Sequence, residues 1–257
     1  MSSIKKLPKT KIALLIVEGP SDATTFENSL RNYLSSFSND SVRFDVVHGD
    51  RTLMDSNNRL IPPANIRKEI GKRVNKFLRD NSLRSSDLLL IGQICDLDAC
   101  FAADTCFVCD ALAAQVKYDL QKQQISYWDR DDLIDKRHKK RANIETLSTT
   151  PNFKIGECII PYKLFYFGIN LEHCLYDRPN CSDEEKQVLA ESFDEEHAEK
   201  SNQFEQRLRA LPFISEDYLK SWNETELEKQ ALKPLTNICI LLDWVKEIEY
   251  QDRSRKG

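Results

Sequence analysis

The sequence predicts an α/β protein built on a mostly parallel, doubly wound sheet and followed by a helical C-terminal region. Three observations carry that expectation. The runs Ile12 to Val17 and Leu88 to Cys95 are apolar at nearly every position, as strands buried on both faces are. Segments with helical apolar spacing alternate with these runs, which is the pattern of crossover-connected parallel strands. From Ser182 to about Tyr250 the spacing is helical, with breaks near Pro212 and Pro234.

The first strand breaks off at Glu18, and Gly19-Pro20-Ser21 turns the chain into a helix that Ser21 or Asp22 can cap. Phe26, Leu30, Tyr33, Leu34 and Phe37 give that helix its apolar face. Val42 to Val47 forms a second strand, and Gly49-Asp50 turns out of it. Between Pro63 and Leu83, Ile66, Ile70, Val74, Phe77 and Leu78 mark an amphipathic helix with a basic outer face. The strand Leu88 to Cys95 ends at Asp96-Leu97-Asp98. A helix is expected near 104–123, then a mobile polar loop or small insertion from Asp129 to Asn152. Ile155 to Ile160 and Leu164 to Ile169 are strand candidates separated by Pro161, and Asn170-Leu171-Glu172-His173 follows the second. The expected division is a core over 1–178 with an insertion at about 124–153, and a helical extension over 179–257.

Composition removes several classes of function. With 257 residues, 40% hydrophobic and 30% charged, the chain is too apolar for disorder and too charged for a membrane bundle. Its seven glycines are placed so that no dinucleotide fingerprint, Walker A loop or nucleophile elbow exists, and its four histidines form no HExxH. The opening apolar run is six residues long, too short for a signal peptide, and nothing approaches a membrane span, so no membrane partner and a cytoplasmic location are expected. The eight cysteines then read as reduced thiols. Cys106 and Cys109 have metal-like spacing, but Cys174 or Cys181 would have to complete a zinc site.

The net charge of −4 hides two opposite distributions. Arg67, Lys68, Lys72, Arg73 and Lys76 on the amphipathic helix, and Lys136, Arg137, Lys139, Lys140 and Arg141 in the polar stretch, are candidate nucleic-acid contacts. Tyr127 and Trp128 beside the second group could stack on unpaired bases or simply pack. Residues 183–199 are strongly acidic and could dock a partner, mask the basic groove or face solvent.

In open α/β sheets, functional groups collect at the carboxyl ends of strands where strand order reverses. Glu18 follows the first strand; Asp96 and Asp98 follow the third. If the extended conformation persists through Asp98, the period of two puts both aspartates on one side of the chain. Three converging carboxylates repel one another unless a hard divalent ion, Mg²⁺ or Mn²⁺, neutralises them, and such an ion is the usual apparatus for chemistry at phosphate.

Leu15-Ile16-Val17-Glu18-Gly19-Pro20-Ser21-Asp22, paired with Ile94-Cys95-Asp96-Leu97-Asp98, resembles the Toprim domain, whose marks are a glutamate after the first strand and a DxD after the third. Within it, the sequence is most similar to solitary nuclease-type members: the overcoming-lysogenization-defect nucleases, the RloB-like proteins and the Toprim effector of the PARIS phage-defence system. The resemblance covers about residues 11–175 and implies a Rossmann-like, Toprim-like core. It implies a Mg²⁺- or Mn²⁺-dependent nuclease acting on RNA, tRNA included, or on DNA, and for the defence members a toxic effector role. By position, Glu18 matches the acid/base or metal-linked glutamate, Asp96 and Asp98 the metal ligands, and Glu172 a later acidic residue of the site. The implied partners are a nucleic-acid substrate and a second copy of the chain or an ATPase subunit of a defence system. Two departures stand out: the long stretch between Glu18 and Asp96, and Ala99-Cys100 where glycine or a further acidic residue often follows DxD. The reading from a different class is a non-catalytic metal- or nucleic-acid-binding module acting as a partner subunit. Primase or topoisomerase chemistry would require further domains.

Overall fold

The computed structural model describes residues 11–38, 42–48, 52–55 and 57–254. The chain opens with β1 (Lys11–Val17), α1 (Pro20–Ser38), β2 (Val42–His48), α2 (Pro63–Asp80) and β3 (Leu88–Asp96). Three short strands follow, β4 (Phe107–Cys109), β5 (Lys117–Asp119) and β6 (Gln124–Tyr127). The core then resumes with α3 (Arg130–Ser148), β7 (Asn152–Ile155), β8 (Cys158–Phe167) and α4 (Leu171–Tyr176). The remainder is helical: α5 (Asp183–His197), α6 (Ser201–Arg209), α7 (Tyr218–Ser221), α8 (Glu224–Lys229) and α9 (Cys239–Ser254).

The main sheet has the order β2-β1-β3-β8-β7. Its first four strands are parallel, and β7 is an antiparallel edge. The architecture is therefore α/β with a mostly parallel sheet. Because every β1 residue after Lys11 is buried, its period of two splits the core into two layers. Ala13, Leu15 and Val17 pack with Phe26, Leu30 and Leu34 of α1 and with Leu241 and Leu242 of α9. Ile12, Leu14 and Ile16 pack with Ile66, Ile70 and Val74 of α2 and with Ile144 and Leu147 of α3. All five apolar residues that predict the amphipathic helix are the buried residues of α2.

The segment 236–245 is core: Ile238, Leu241, Leu242 and Val245 are essentially inaccessible. The acidic helix α5 lies on α1, where Asn28 Nδ2 donates to Asp194 Oδ2 (3.0 Å), and it buries Ala190, Phe193 and His197.

Three sequence expectations fail. The helix near 104–123 is instead a small three-stranded sheet of order β4-β6-β5. Its strands are three or four residues long, below the length at which periodicity separates strand from helix, and Phe107, Tyr118 and Ile125 turn inward while Leu112 is 91% exposed. The stretch 129–152, expected as a mobile loop or small insertion, is no loop but holds the 19-residue helix α3, capped by Asp129, whose carboxylate accepts from Asp132 N at 3.0 Å. Pro161 does not divide two strands but lies inside β8. Its missing N–H removes no bond to β3, because pairing with β3 begins at Tyr162, whose N–H donates to Pro151 O (2.9 Å).

Among the described residues no helix is long and apolar enough to cross a membrane.

Candidate active site

β1 lies between β2 and β3, so strand order reverses at the β1/β3 boundary, and the crevice at the carboxyl edge opens there. Glu18, Asp96 and the Asn170 to His173 turn after β8 all fall on this edge. Glu18 crosses the gap: its Oε2 accepts from Asp96 N at 3.1 Å. At the start of α1, Asp22 Oδ2 accepts from Gly19 N at 2.8 Å.

The two aspartates of Asp-Leu-Asp part company. Extended pairing stops at Asp96, and Asp98 and Ala99 are both left-handed, with φ of 51° and 55°. Without glycine, two successive left-handed residues persist only where their surroundings fix them. Here the backbone after β8 does so: Leu97 N donates to Phe167 O (2.8 Å), Asp98 N to Ile169 O (3.0 Å) and Ala99 N to Gly168 O (3.2 Å). Gly168 itself is held against the 233–235 segment, where an added Cβ would sit 2.7 Å from Lys233 O. The same-side arrangement expected of an extended chain is therefore lost, and the Asp98 carboxylate turns towards α3.

What it meets there is positive charge. Lys140 Nζ lies 2.5 Å from Asp98 Oδ2 and 3.7 Å from Glu18 Oε2, and Arg137 Nη1 donates to Asp98 Oδ2 at 3.2 Å. Lys140 is 1% exposed and Arg137 7%. The Lys140 ammonium thus stands between two of the three carboxylates expected to hold a divalent ion. Arg137 Nη2 also donates to the buried Tyr118 hydroxyl (3.3 Å).

Glu172, on α4, is 3% exposed; its Oε2 accepts no hydrogen bond and lies 3.9 Å from Lys186 Nζ of α5. Burial pushes the Asp96 carboxyl well above the usual carboxylate range, and Glu18, Asp22, Asp98 and Glu172 push it further. Asp98 goes the other way. Desolvation acts to raise it, but Arg137 and Lys140 outweigh that and hold it at about 2. The five carboxylates Glu18, Asp22, Asp96, Asp98 and Glu172 are balanced by three cations, Arg137, Lys140 and Lys186. Fully ionised, the cluster carries a formal excess of two negative charges.

An all-oxygen donor set with that excess, and with a buried carboxylate oxygen that accepts no hydrogen bond, suits a hard divalent ion. Among the described residues, no three or more His, Cys, Asp or Glu side chains are posed as a ready ligand set. At this edge Lys140 occupies that role towards Asp98. Cys109 is exposed, with its thiol donating to Trp128 O, while Cys174 is buried against Leu235 O.

The basic residues divide. On α2, Arg67, Lys68, Lys72 and Lys76 are exposed and Arg73 is partly buried. Lys72 pairs with Glu69 (2.6 Å) and Lys76 with Asp80. The helix is about 27 Å long, and its C-terminal half runs away from the carboxylates. There Lys72, Lys76 and Arg79 line a cavity of about 720 Å³ with Ser85 and Gly156, at the opposite edge of the sheet. On α3, Lys136 pairs with Asp132 (2.6 Å) and Lys139 with Asp135. Arg141 reaches Glu145, Glu228 and Glu224 at 2.8–3.3 Å and covers the Phe101 ring. This run lies on an ordered helix that sends two cations, Arg137 and Lys140, into the site. Trp128 is 53% exposed beside Tyr127, with ring centroids 5.7 Å apart.

Arg137, Lys140 and Lys186 as partners of the carboxylates escaped the sequence reading. The signal for the first two is spacing: Leu133, Arg137, Lys140, Ile144 and Leu147 recur at intervals of four and three. No known protein family, curated protein or solved structure matches this chain.

Proposed function

We propose that the chain is a Toprim-type phosphodiesterase dependent on Mg²⁺ or Mn²⁺, cleaving RNA, with tRNA among its candidate substrates, or DNA. The observation that carries this reading is the charge imbalance at the β1/β3 crevice: five carboxylates, three built-in cations, and Asp96 pushed towards its protonated form. Glu18, Asp96 and Asp98 would hold the ion, with Glu172 at the rim as the further acidic group. Bound there, the ion would polarise a phosphate and activate water. The chain's own contribution is positioning. Glu18 is tied to the Asp96 backbone, and Arg137 and Lys140 fix Asp98. These two cations also bring fixed positive charge to the edge where a phosphate would sit. The basic residues at the start of α2, Arg67 and Lys68, would meet the polymer backbone.

In this reading the protein works in the cytoplasm as a toxic effector of phage defence, with a second copy or an ATPase subunit as partner. The purified protein should cleave total RNA, plasmid or single-stranded DNA with Mg²⁺ and fail to do so in EDTA, and Glu18→Gln and Asp96→Asn should each abolish cleavage. Cleavage that persists undiminished in Glu18→Gln refutes the assignment.

One observation favours the non-catalytic reading: Lys140 already neutralises Asp98 at 2.5 Å, as a self-contained structural cluster would. A protein that binds nucleic acid or Mg²⁺ yet cleaves nothing would establish that reading.

A further inference from the structure

Beside Asp98, a cavity of about 500 Å³ opens between β5 and the 179–186 segment. That volume is within the range of small-ligand sites. Its charged lining is Lys117, Arg137 and Lys186 against Asp98 and Asp183, a formal excess of one positive charge, and Val116, Tyr118 and Pro179 add apolar surface. Its two walls are fastened together: Asn180 Oδ1 accepts from Tyr118 N (2.9 Å), and Asn180 Nδ2 donates to Tyr118 O (2.9 Å).

Arg137 is the informative residue. A guanidinium offers five donors. In this one Nη1 reaches Asp98 and Nη2 reaches Tyr118, both at more than 3.1 Å, while the Nε is buried and has no hydrogen-bond acceptor. A buried donor left without a partner is costly in a protein interior. The Lys186 ammonium approaches its nearest carboxylate oxygen only to 3.9 Å, outside hydrogen-bonding range. Two cations with incomplete sets of acceptors therefore line one cavity next to the carboxylate cluster.

We propose that this cavity is a nucleotide subsite. Arg137 and Lys186 take a phosphate, and Val116, Tyr118 and Pro179 face the nucleoside. The inference rests on the phosphodiesterase reading for its biological meaning, since it places a nucleotide adjoining the scissile phosphate beside Asp98. It stands apart from that reading experimentally, because it requires binding without metal and without cleavage.

The test is calorimetric titration of the full chain, in EDTA, with adenosine and uridine 5′-monophosphates, inorganic phosphate and the unphosphorylated nucleosides. Saturable millimolar or tighter binding of the monophosphates is expected, with phosphate weaker and nucleosides weaker still. Lys186→Gln and Arg137→Lys should each weaken monophosphate binding about tenfold or more, the effect of losing one charge-assisted hydrogen bond. Lys186 is partly exposed, so its variant reports on binding even where the Arg137 variant disturbs folding. Arg79→Gln, at the opposite edge, should bind as wild type does. Absence of saturable binding, or an unaltered affinity in Lys186→Gln, overturns the subsite. Phosphate binding as tightly as the monophosphates overturns its nucleoside half. Monophosphate binding in a protein that cuts no polymer would leave the subsite standing and remove the nuclease reading; cleavage without monophosphate binding would do the reverse.

Discussion

The Lys140 ammonium gives the most direct access to the electrostatics of the crevice, and Lys140→Met is the perturbation that exposes it. Methionine keeps an unbranched chain of similar length, so the change removes charge with little change in packing. Breaking one partner out of a buried ion pair commonly costs about 3–5 kcal/mol. The lower end applies here, because Asp98 keeps Arg137 at 3.2 Å and 28% of its side chain stays accessible. A loss of about 3 kcal/mol in EDTA at neutral pH should appear as a lower urea midpoint, and as a fall in Tm of several degrees, since about 2–4 °C accompany each kcal/mol in a chain of this size. Asp98→Asn in the same background should recover most of the loss, because the uncompensated carboxylate is then gone. The formal excess of negative charge grows from two to three in Lys140→Met, so Mg²⁺ should stabilise that variant more than wild type. Ligand linkage supplies about 2.7 kcal/mol at a hundredfold excess over Kd. A coupling between positions 98 and 140 below about 0.5 kcal/mol would refute the buried pair, as would an equal Mg²⁺ response in the two proteins.

Other expectations follow from the same geometry. Asp96 holds its proton more tightly in the folded chain than in the unfolded one, so its contribution to stability is lost as pH rises from near 4 through its elevated folded value. Asp96→Asn should flatten that neutral-side slope in EDTA and raise the urea midpoint at pH 8, and an unchanged slope would contradict the crowding. Asp98 is depressed to about 2, so what it contributes is present above pH 4 and is lost as pH falls towards 2; Asp98→Asn should remove that acid-side slope, measured by the same denaturation series. Gly168→Ala forces a Cβ to 2.7 Å from the Lys233 carbonyl, and should cost more than about 1 kcal/mol while disturbing the turn that carries Asp98. Its readout is the Mg²⁺-induced Tm shift, which should shrink beyond what the lost stability explains. Substituting Arg67 and Lys68 with Gln should weaken polynucleotide binding and lower its salt dependence, whereas Arg79→Gln at the far edge should leave both unchanged.

Most of the core was legible because the central strands β1 and β3 are buried on both faces and therefore read as nearly unbroken apolar runs. Val42 to Val47, Leu88 to Cys95 and the stripe of α2 needed nothing beyond periodicity. The acidic residues were legible because they sit where such runs stop: Glu18 just past β1 and Asp96 at the end of β3. The conformation of Asp98 was not legible, since its left-handed backbone is imposed by hydrogen bonds to Gly168 and Ile169, some seventy residues away. Local alternation cannot anticipate a constraint of that origin. The small β4-β6-β5 sheet was missed for a related reason, since its short strands depend on pairing and on Ala99, Ile169 and Leu232 beneath them.

The run Lys136 to Arg141 shows how a pattern can be present and still be misread. Six polar residues in succession look like a solvated loop to any method that scores apolar residues, because the inward stripe of α3 is cationic at its middle. Yet Leu133, Arg137, Lys140, Ile144 and Leu147, which with Asn143 and Ser148 are the buried positions, fall at intervals of four, three, four and three, which is the period of one helix face. Two cations can occupy such a stripe only if carboxylates receive them, and the acidic ends of β1 and β3 do so. The basic run and the acidic edge are therefore one feature seen from two places in the chain. Lys140→Ala, with Lys139 retained, should accordingly behave like Lys140→Met rather than like a surface change. One remaining lysine, paired outward with Asp135, cannot reach Asp98 from the wrong side of the helix. Stability in Lys140→Ala within about 0.5 kcal/mol of wild type would show that position along the run, and with it the helix face, does not matter.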